Sequence, residues 1–125
     1  MPARADLDPP LEIPRLLPWI ILTDVLLRNP LDFRYRLIGS AIRDRIAGNY
    51  TGVRLMDLAH QRPGSRIWDT RAECVRTKAP VLDNELPYVG PSDLVRAVRH
   101  LHLPLSEDGK SVTMILTAVE FDEED

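Results

Sequence analysis

The chain has 125 residues, which is the size of one domain, because single domains typically contain about 100–150 residues. Hydrophobic residues make up 44% of it and charged residues 28%, a composition that predicts a folded core and excludes a chain that is disordered at rest. The formal net charge of −3 argues against the broad basic face that nucleic acids require, although the acidic residues at positions 122–125 account for its sign. We therefore expect no nucleic-acid partner.

Cysteine usage and hydropathy indicate the compartment. Cys74 is the single cysteine, which excludes an internal disulfide and any multi-cysteine metal site. The longest apolar run, residues 19–27, is interrupted by Thr23 and Asp24 and is far shorter than the roughly 20 residues of a membrane span. We therefore expect a cytoplasmic protein without a membrane span.

Residues 1–18 predict an N-terminal arm that belongs to the same domain as the core, residues 19–121. The arm holds five of the 11 prolines together with several leucines and isoleucines, which favours one or two short helical turns on an apolar surface. Residues 19–28 are bulky and branched and predict a strand that ends at the Asn29-Pro30 turn. Residues 32–38 alternate and predict its hairpin partner, with Phe33, Tyr35 and Leu37 on one face and Ile38 on the other.

Two helices are predicted next. Ser40 is placed to cap a two-turn helix over residues 41–47, and an apolar stretch follows at residues 53–58. Residues 65–77 predict the most regular helix, because Ile67, Trp68, Ala72, Cys74 and Val75 share one arc of the helical wheel. Arg71 falls in the middle of that apolar arc.

The C-terminal half predicts three strands. They are a weak edge strand over residues 80–88, a longer strand over residues 94–105 and a closing strand over residues 112–121, followed by an acidic tail at residues 122–125. Segregated helices and antiparallel strands predict an α+β fold. Both the first and the last strand are apolar on both faces, so we expect the arm or a second subunit to cover the second face of the sheet.

The order of these segments resembles the PAS domains that occur as short stand-alone proteins in alphaproteobacteria. The resemblance lies in the runs FRYRLIGSAI (residues 33–42), TGVRL (51–55) and ECVRTKAP (73–80), and in the segment from LPLS (103–106) to EF (120–121). It spans roughly residues 10–121. Lys78 departs from it, because the family commonly has glycine after that helix, and we expect the helix to end differently here.

The resemblance implies a five-stranded antiparallel sheet with helices enclosing a pocket on one face and the helical arm on the other. PAS domains act as sensors or interaction modules and are often dimeric. We therefore expect a non-enzymatic signalling module that works as a homodimer and binds a small molecule, a partner signalling protein, or both. A ligand-free interaction adaptor and a small isomerase-type enzyme, with Asp57 and His60 as its acid–base pair, are the alternatives.

Two arginines are candidate ligand-binding residues. Arg71 would wall the pocket, and Arg99 lies among apolar residues of a strand, so that together they could clamp a carboxylate or phosphate. Salt bridges within the fold are the alternative. The remaining candidates are Tyr35, Trp68, Cys74, Tyr88 and Met114, which could line a pocket or fill the core.

Cofactors are not indicated. Cys74 lacks the Asn-Cys-Arg-Phe-Leu context of the light-sensing relatives that use flavin, and no histidine lies between residues 65 and 78 to ligate haem as in haem-binding relatives. His100 and His102 share a strand face and could ligate a metal with His60, but ordinary surface or interface histidines are the alternative.

Overall fold

One five-stranded antiparallel sheet forms the framework of the fold in this computed structural model, which describes residues 13–46, 48–86, 88, 90–91 and 94–123. The strands are β1 (Ile20–Leu26), β2 (Asp32–Ile38), β3 (Val81–Leu86), β4 (Val95–Leu105) and β5 (Met114–Glu123). The helices are α1 (Ile13–Leu16), α2 (Ser40–Arg43) and α3 (Arg66–Thr77), with 3-10 turns at Leu17–Trp19 and Leu55–Asp57. The α+β class and the antiparallel sheet predicted from the sequence are confirmed.

The closing strand β5 lies at the centre of the sheet, whose order is β2-β1-β5-β4-β3. It pairs with β1 on one side and β4 on the other. The strands β1 and β5 are apolar on both sides because each contributes side chains to an apolar cluster on either face.

The two faces carry separate apolar clusters. The inner cluster lies beneath the helical side and includes Phe33, Ile42 and Leu55. The outer cluster is smaller and consists of Ile20, Leu22, Leu105, Met114 and Leu116, with Leu37 and Leu103 partly buried against it. Strand alternation in β1 and β5 separates the faces as predicted.

The strict alternation of faces that the sequence predicts for β2 is wrong. The register between β1 and β2 shifts at Leu22/Thr23, so that Leu37 pairs with Leu22 and Tyr35 pairs with Thr23. The extra residue moves Leu37 to the outer cluster and brings Ile38 to the inner cluster beside Tyr35. Such a bulge inserts one residue into one strand and reverses the facing of everything beyond it.

Helix α3 forms where its local signals predict it. The Ser65 hydroxyl accepts a hydrogen bond from the backbone N–H of Trp68 at 3.2 Å and so caps the first turn. At the other end Lys78 adopts the left-handed conformation, with φ 55°, and its N–H donates to the Cys74 carbonyl at 2.9 Å. The expectation of a different ending is therefore wrong, because lysine occupies the left-handed position that glycine favours.

Helix α2 differs from its prediction. It spans four residues, and Ser40 lies inside it, because the extended residue before the helix is Gly39. A Cβ at Gly39 would lie 2.3 Å from the carbonyl oxygens of both Leu17 and Pro18, so only glycine fits this crossing. The tight contact joins the end of the arm to the start of α2. Ala47, the predicted last residue, lies outside the described residues.

The sheet continues into the predicted acidic tail. Strand β5 includes Asp122 and Glu123, which form ion pairs with Arg96 and Arg45, respectively. Sequence alone assigned these residues to a tail because charged side chains end the apolar pattern. Residues 124 and 125 lie outside the described residues.

The described part of the arm, residues 13–18, forms the short helical turns that the sequence predicts. Leu16 and Leu17 are 51% and 39% exposed, so these side chains do not seal the outer face of the sheet. Residues 1–12 lie outside the described residues, and the predicted cover of the outer face falls largely on them. Among the described residues, no helix is long and apolar enough to cross a membrane.

Candidate functional site

A cavity of about 410 Å³ lies between the inner face of the sheet and the helical side of the fold. Its volume is within the range of about 300–1,000 Å³ that is typical of small-molecule sites. The sheet contributes the apolar side chains of Ile21, Ile38, Leu86, Val98, Val119 and Phe121, and the helical side contributes those of Ile42, Ile46 and Ile67. The wall is therefore mostly apolar, with a few polar groups placed in it.

One group of polar residues forms a hydrogen-bonded chain in the wall. The Tyr35 hydroxyl donates to Gln61 Oε1 at 2.6 Å, and the Gln61 amide nitrogen lies 3.4 Å from His60 Nε2. The Tyr50 ring stacks on Tyr35, with 6.4 Å between centroids. Because Gln61 is buried, this chain holds the Tyr35 ring in place against the cavity.

Tyr88 closes another part of the wall. Its hydroxyl donates to the carbonyl oxygen of Arg45, and its ring meets Phe121 edge to face at 6.2 Å between centroids. Arg45 in turn lies over the Trp19 ring and pairs with Glu123. The tyrosine thus connects the cavity to the junction between the arm and the end of β5.

His102 is fully buried and joins the helix to the sheet. Its Nδ1 lies 2.7 Å from Thr117 Oγ1 and its Nε2 lies 3.0 Å from Thr70 Oγ1. The Thr70 hydroxyl already donates to the Arg66 carbonyl, so it accepts the His102 Nε2–H, and Thr117 donates to Nδ1. Burial lowers the pKa of His102 to about 2, and the ring is neutral.

His100 has a different environment. It lines the cavity and is 7% exposed, and among the described residues its ring has no hydrogen-bond partner. Burial, followed by the positive charge of Arg71, lowers its pKa to about 3. A neutral imidazole carries one donor and one acceptor, and among the described residues neither group of His100 is used.

Arg71 is buried completely and has no carboxylate partner within the described part of the chain. Its Nη1 donates to the Ile67 carbonyl at 3.1 Å, its Nε lies 3.4 Å from Thr23 Oγ1, and its Nη2 has no partner. The guanidinium carbon lies 5.6 Å from the centroid of the Tyr35 ring. Both Ile67 and Tyr35 line the cavity, so the charge lies directly beneath its wall.

Only some of the residues that the sequence analysis proposed for ligand binding lie at the cavity. Tyr35 and Tyr88 line the cavity, whereas Arg71 contacts residues of its wall without lining it. Trp68 packs edge to face on Phe33 at 5.6 Å, and it belongs with Cys74 to the inner core.

The other two candidates lie on the opposite side of the sheet. Met114 belongs to the outer cluster, and Arg99 pairs with Glu120 across β4 and β5. The neighbouring pair Val98 and Phe121 lines the cavity, so alternation turns Arg99 away from it. The anion site that Arg71 and Arg99 were predicted to share is therefore wrong.

The thiol of Cys74 is a packed core group. It is completely buried, and burial raises its pKa to about 11, so it carries no thiolate at neutral pH.

The acid–base pair proposed for an isomerase does not meet in the cavity. Asp57 is exposed and pairs with Arg54, while His60 lies in the cavity wall. Among the described residues that line the cavity there is no carboxylate. Nor does the described part of the chain contain a group of three histidine, cysteine or acidic side chains arranged to hold a metal.

Several wall residues were missed as ligand-binding candidates from the sequence. Gln61 and His60 lie in a turn with Pro63 and Gly64, where polar side chains are ordinarily solvated. His100 was considered only as a metal ligand. Its facing could have been predicted, because it alternates with Val98 on a strand whose inner face is apolar.

Comparisons of the chain with protein-family models, with curated proteins and with solved structures found no match.

Proposed function

We propose that the protein is a cytoplasmic sensory module of the PAS type that binds a small molecule in the cavity. The observation that carries the proposal is the mostly apolar cavity of about 410 Å³ between sheet and helices. The five antiparallel strands, the helices on one face and the short helical arm agree with what the sequence resemblance implies.

The signal would leave the cavity through its wall. Tyr88 and Phe121 line the cavity and contact the Arg45–Trp19 junction at the end of the arm. A ligand that favours one packing of these rings shifts the population toward one arrangement of the arm. A partner signalling protein then recognises that arrangement.

The test is thermal stabilisation by a broad panel of metabolites and apolar probes. We expect at least one compound to raise the melting temperature of the wild type reproducibly. Val98→Phe, which fills the cavity from β4, should abolish that shift. Leu27→Phe adds a phenyl ring at a residue that is 52% exposed and does not line the cavity, so it is the matched control and should keep the shift. No stabiliser across the panel would favour the ligand-free adaptor.

We also propose that the module works as a homodimer through the outer face of the sheet. Leu82 and Leu101 are cross-strand neighbours on β3 and β4 and are both exposed, at 62% and 36%. A second copy, together with the arm, would cover them. Light scattering should give the mass of a dimer for the full chain and a changed mass after deletion of residues 1–18. A monomeric full chain would contradict this proposal.

A further inference from the structure

The chemistry of the ligand is indicated by a charge that the fold leaves without a counter-ion. Arg71 is completely buried, and no acidic side chain of the described residues pairs with it. Burial lowers the pKa of the Arg71 guanidinium, but a guanidinium stays protonated at neutral pH, and burying a charge without its partner is costly. Arg66 is the charged residue among the described wall residues, and it is already paired with Asp83 by hydrogen bonds of 2.7 and 3.2 Å. The uncompensated charge beside the cavity is therefore that of Arg71.

The charge of Arg71 reaches the cavity. Its guanidinium contacts the Tyr35 ring and the Ile67 carbonyl, and both residues line the cavity. Its field is also felt there, since it contributes to the low pKa of His100 and opposes the rise in the pKa of Tyr35. With no carboxylate among the described wall residues to balance it, the potential inside the cavity is positive.

The wall also holds His100, whose hydrogen-bonding groups no described residue occupies. His100 faces the cavity with a neutral ring and without a partner, so its N–H is free to donate. The rest of the wall is mostly apolar, so the remainder of a ligand must be apolar too. A ligand with an anionic end and an apolar body complements a cavity that has a positive potential, a free donor at His100 and mostly apolar walls.

We propose that the cavity binds a weak acid with an apolar body and one carboxylate, which lies at the His100 end and receives its counter-charge from Arg71. This inference rests on the proposed function, because it names the ligand class of the same cavity. The His100 N–H donates to the carboxylate, and the guanidinium stabilises the buried anion through space. A cationic ligand is disfavoured by the same field.

The test compares three eight-carbon probes that differ in charge, namely octanoate, 1-octanol and octylamine, by isothermal titration at neutral pH. The wild type should bind octanoate about tenfold or more tightly than octanol, because the potential is positive, and octylamine most weakly. Arg71→Met should bind octanoate no more tightly than octanol while still binding octanol. Arg76→Met removes the same charge from an exposed position of α3 and should keep the preference. His100→Phe should weaken octanoate binding more than octanol binding.

The outcomes separate this inference from the proposed function. If octanol binds as tightly as octanoate to the wild type, or if Arg71→Met keeps the preference, the weak-acid assignment is overturned while the cavity remains a ligand site. If no probe and no compound of the metabolite panel binds, the proposed function fails and this inference fails with it. Octanol binding by Arg71→Met shows that this variant is folded, so a loss confined to octanoate is not a folding defect.

Discussion

At the scale of single residues, Arg71 is a charge that costs stability. Its guanidinium has hydrogen bonds to a carbonyl and a hydroxyl but no carboxylate among the described residues, and one nitrogen has no partner. Replacing buried charges by apolar side chains of similar volume is often neutral or stabilising by about 1–4 kcal/mol. A charge kept in the core at such a cost is consistent with a role in binding.

We therefore expect Arg71→Met to raise the free energy of unfolding of the ligand-free protein by about 1–3 kcal/mol, because methionine fills the space without burying a charge. Urea unfolding measured by circular dichroism gives this value. Arg71→Ala is the control, since it also removes the charge but leaves a void and should destabilise the protein. A loss of more than about 1 kcal/mol in Arg71→Met would mean that the guanidinium stabilises the fold.

Two aromatic residues of β2 show which part of the site the sequence predicts and which part it does not. Phe33 and Tyr35 share the inner face, as alternation predicts. Phe33 packs against Trp68 and is completely buried in solid core, whereas Tyr35 forms part of the cavity wall. The side-chain pattern gives the face of each residue. Whether a residue on the inner face meets the cavity or solid core depends on the distance between the helical side and the sheet. No local sequence pattern encodes that distance.

At the scale of elements, the residue that ends α3 has a backbone conformation that should lower the stability of the protein, and this cost can be measured. Lys78 adopts φ 55°, a left-handed conformation that costs a residue with a side chain about 1–2 kcal/mol relative to glycine. Lys78→Gly should stabilise the protein by about 0.5–1 kcal/mol, because the greater freedom of glycine in the unfolded chain offsets part of the gain. Lys78→Ala removes the same charge but keeps the strained conformation and should give no gain. Urea midpoints of the three proteins measure the difference, and equal gains for both variants would point to charge instead of backbone strain.

The two predicted helices differ in what determines them. The signal for α3 is an apolar arc within its own sequence, residues 65–77, and the observed helix occupies that segment. Helix α2 depends on the crossing of Gly39 with the carbonyl oxygens of Leu17 and Pro18, more than twenty residues earlier. That contact sets the helix start, and a local reading that assigned the cap to Ser40 had no access to it.

At the scale of the whole molecule, the sequence predicted that both faces of the sheet are apolar, but not the register of β2 or the end of β5. The bulge between β1 and β2 exchanges the faces of Leu37 and Ile38, and the strand β5 extends through Asp122 and Glu123, which pair with Ala97 and Val95 of β4. Both departures arise from pairing between distant segments. The fold class therefore follows from local pattern, whereas register and the shape of the cavity follow from tertiary contacts.

The two buried histidines link the stability of the whole molecule to pH. Burial is the main cause of the low pKa of both His100 and His102, and the charge of Arg71 on α3 adds to it. The two rings meet edge to face at 5.6 Å, and His100 further lowers the pKa of His102. Asp83 on β3, which pairs with Arg66, acts in the opposite direction on His100. Both rings stay neutral in the folded protein at pH values where the unfolded chain protonates them.

Acidification should therefore destabilise the protein well above the range in which carboxylates titrate. Below about pH 6.5 the unfolded state binds protons that the folded state excludes, so the free energy of unfolding falls by about 1.4 kcal/mol per pH unit for each histidine. Between about pH 7.5 and 5.5 the two histidines together should cost about 3 kcal/mol, measurable as a lower urea midpoint. His100→Gln should halve this loss, whereas His60→Gln, which keeps both buried rings, should leave it unchanged. A midpoint that is constant over this range would show that the buried histidines accept protons in the folded state, and the neutral ring assigned to His100 would then be wrong.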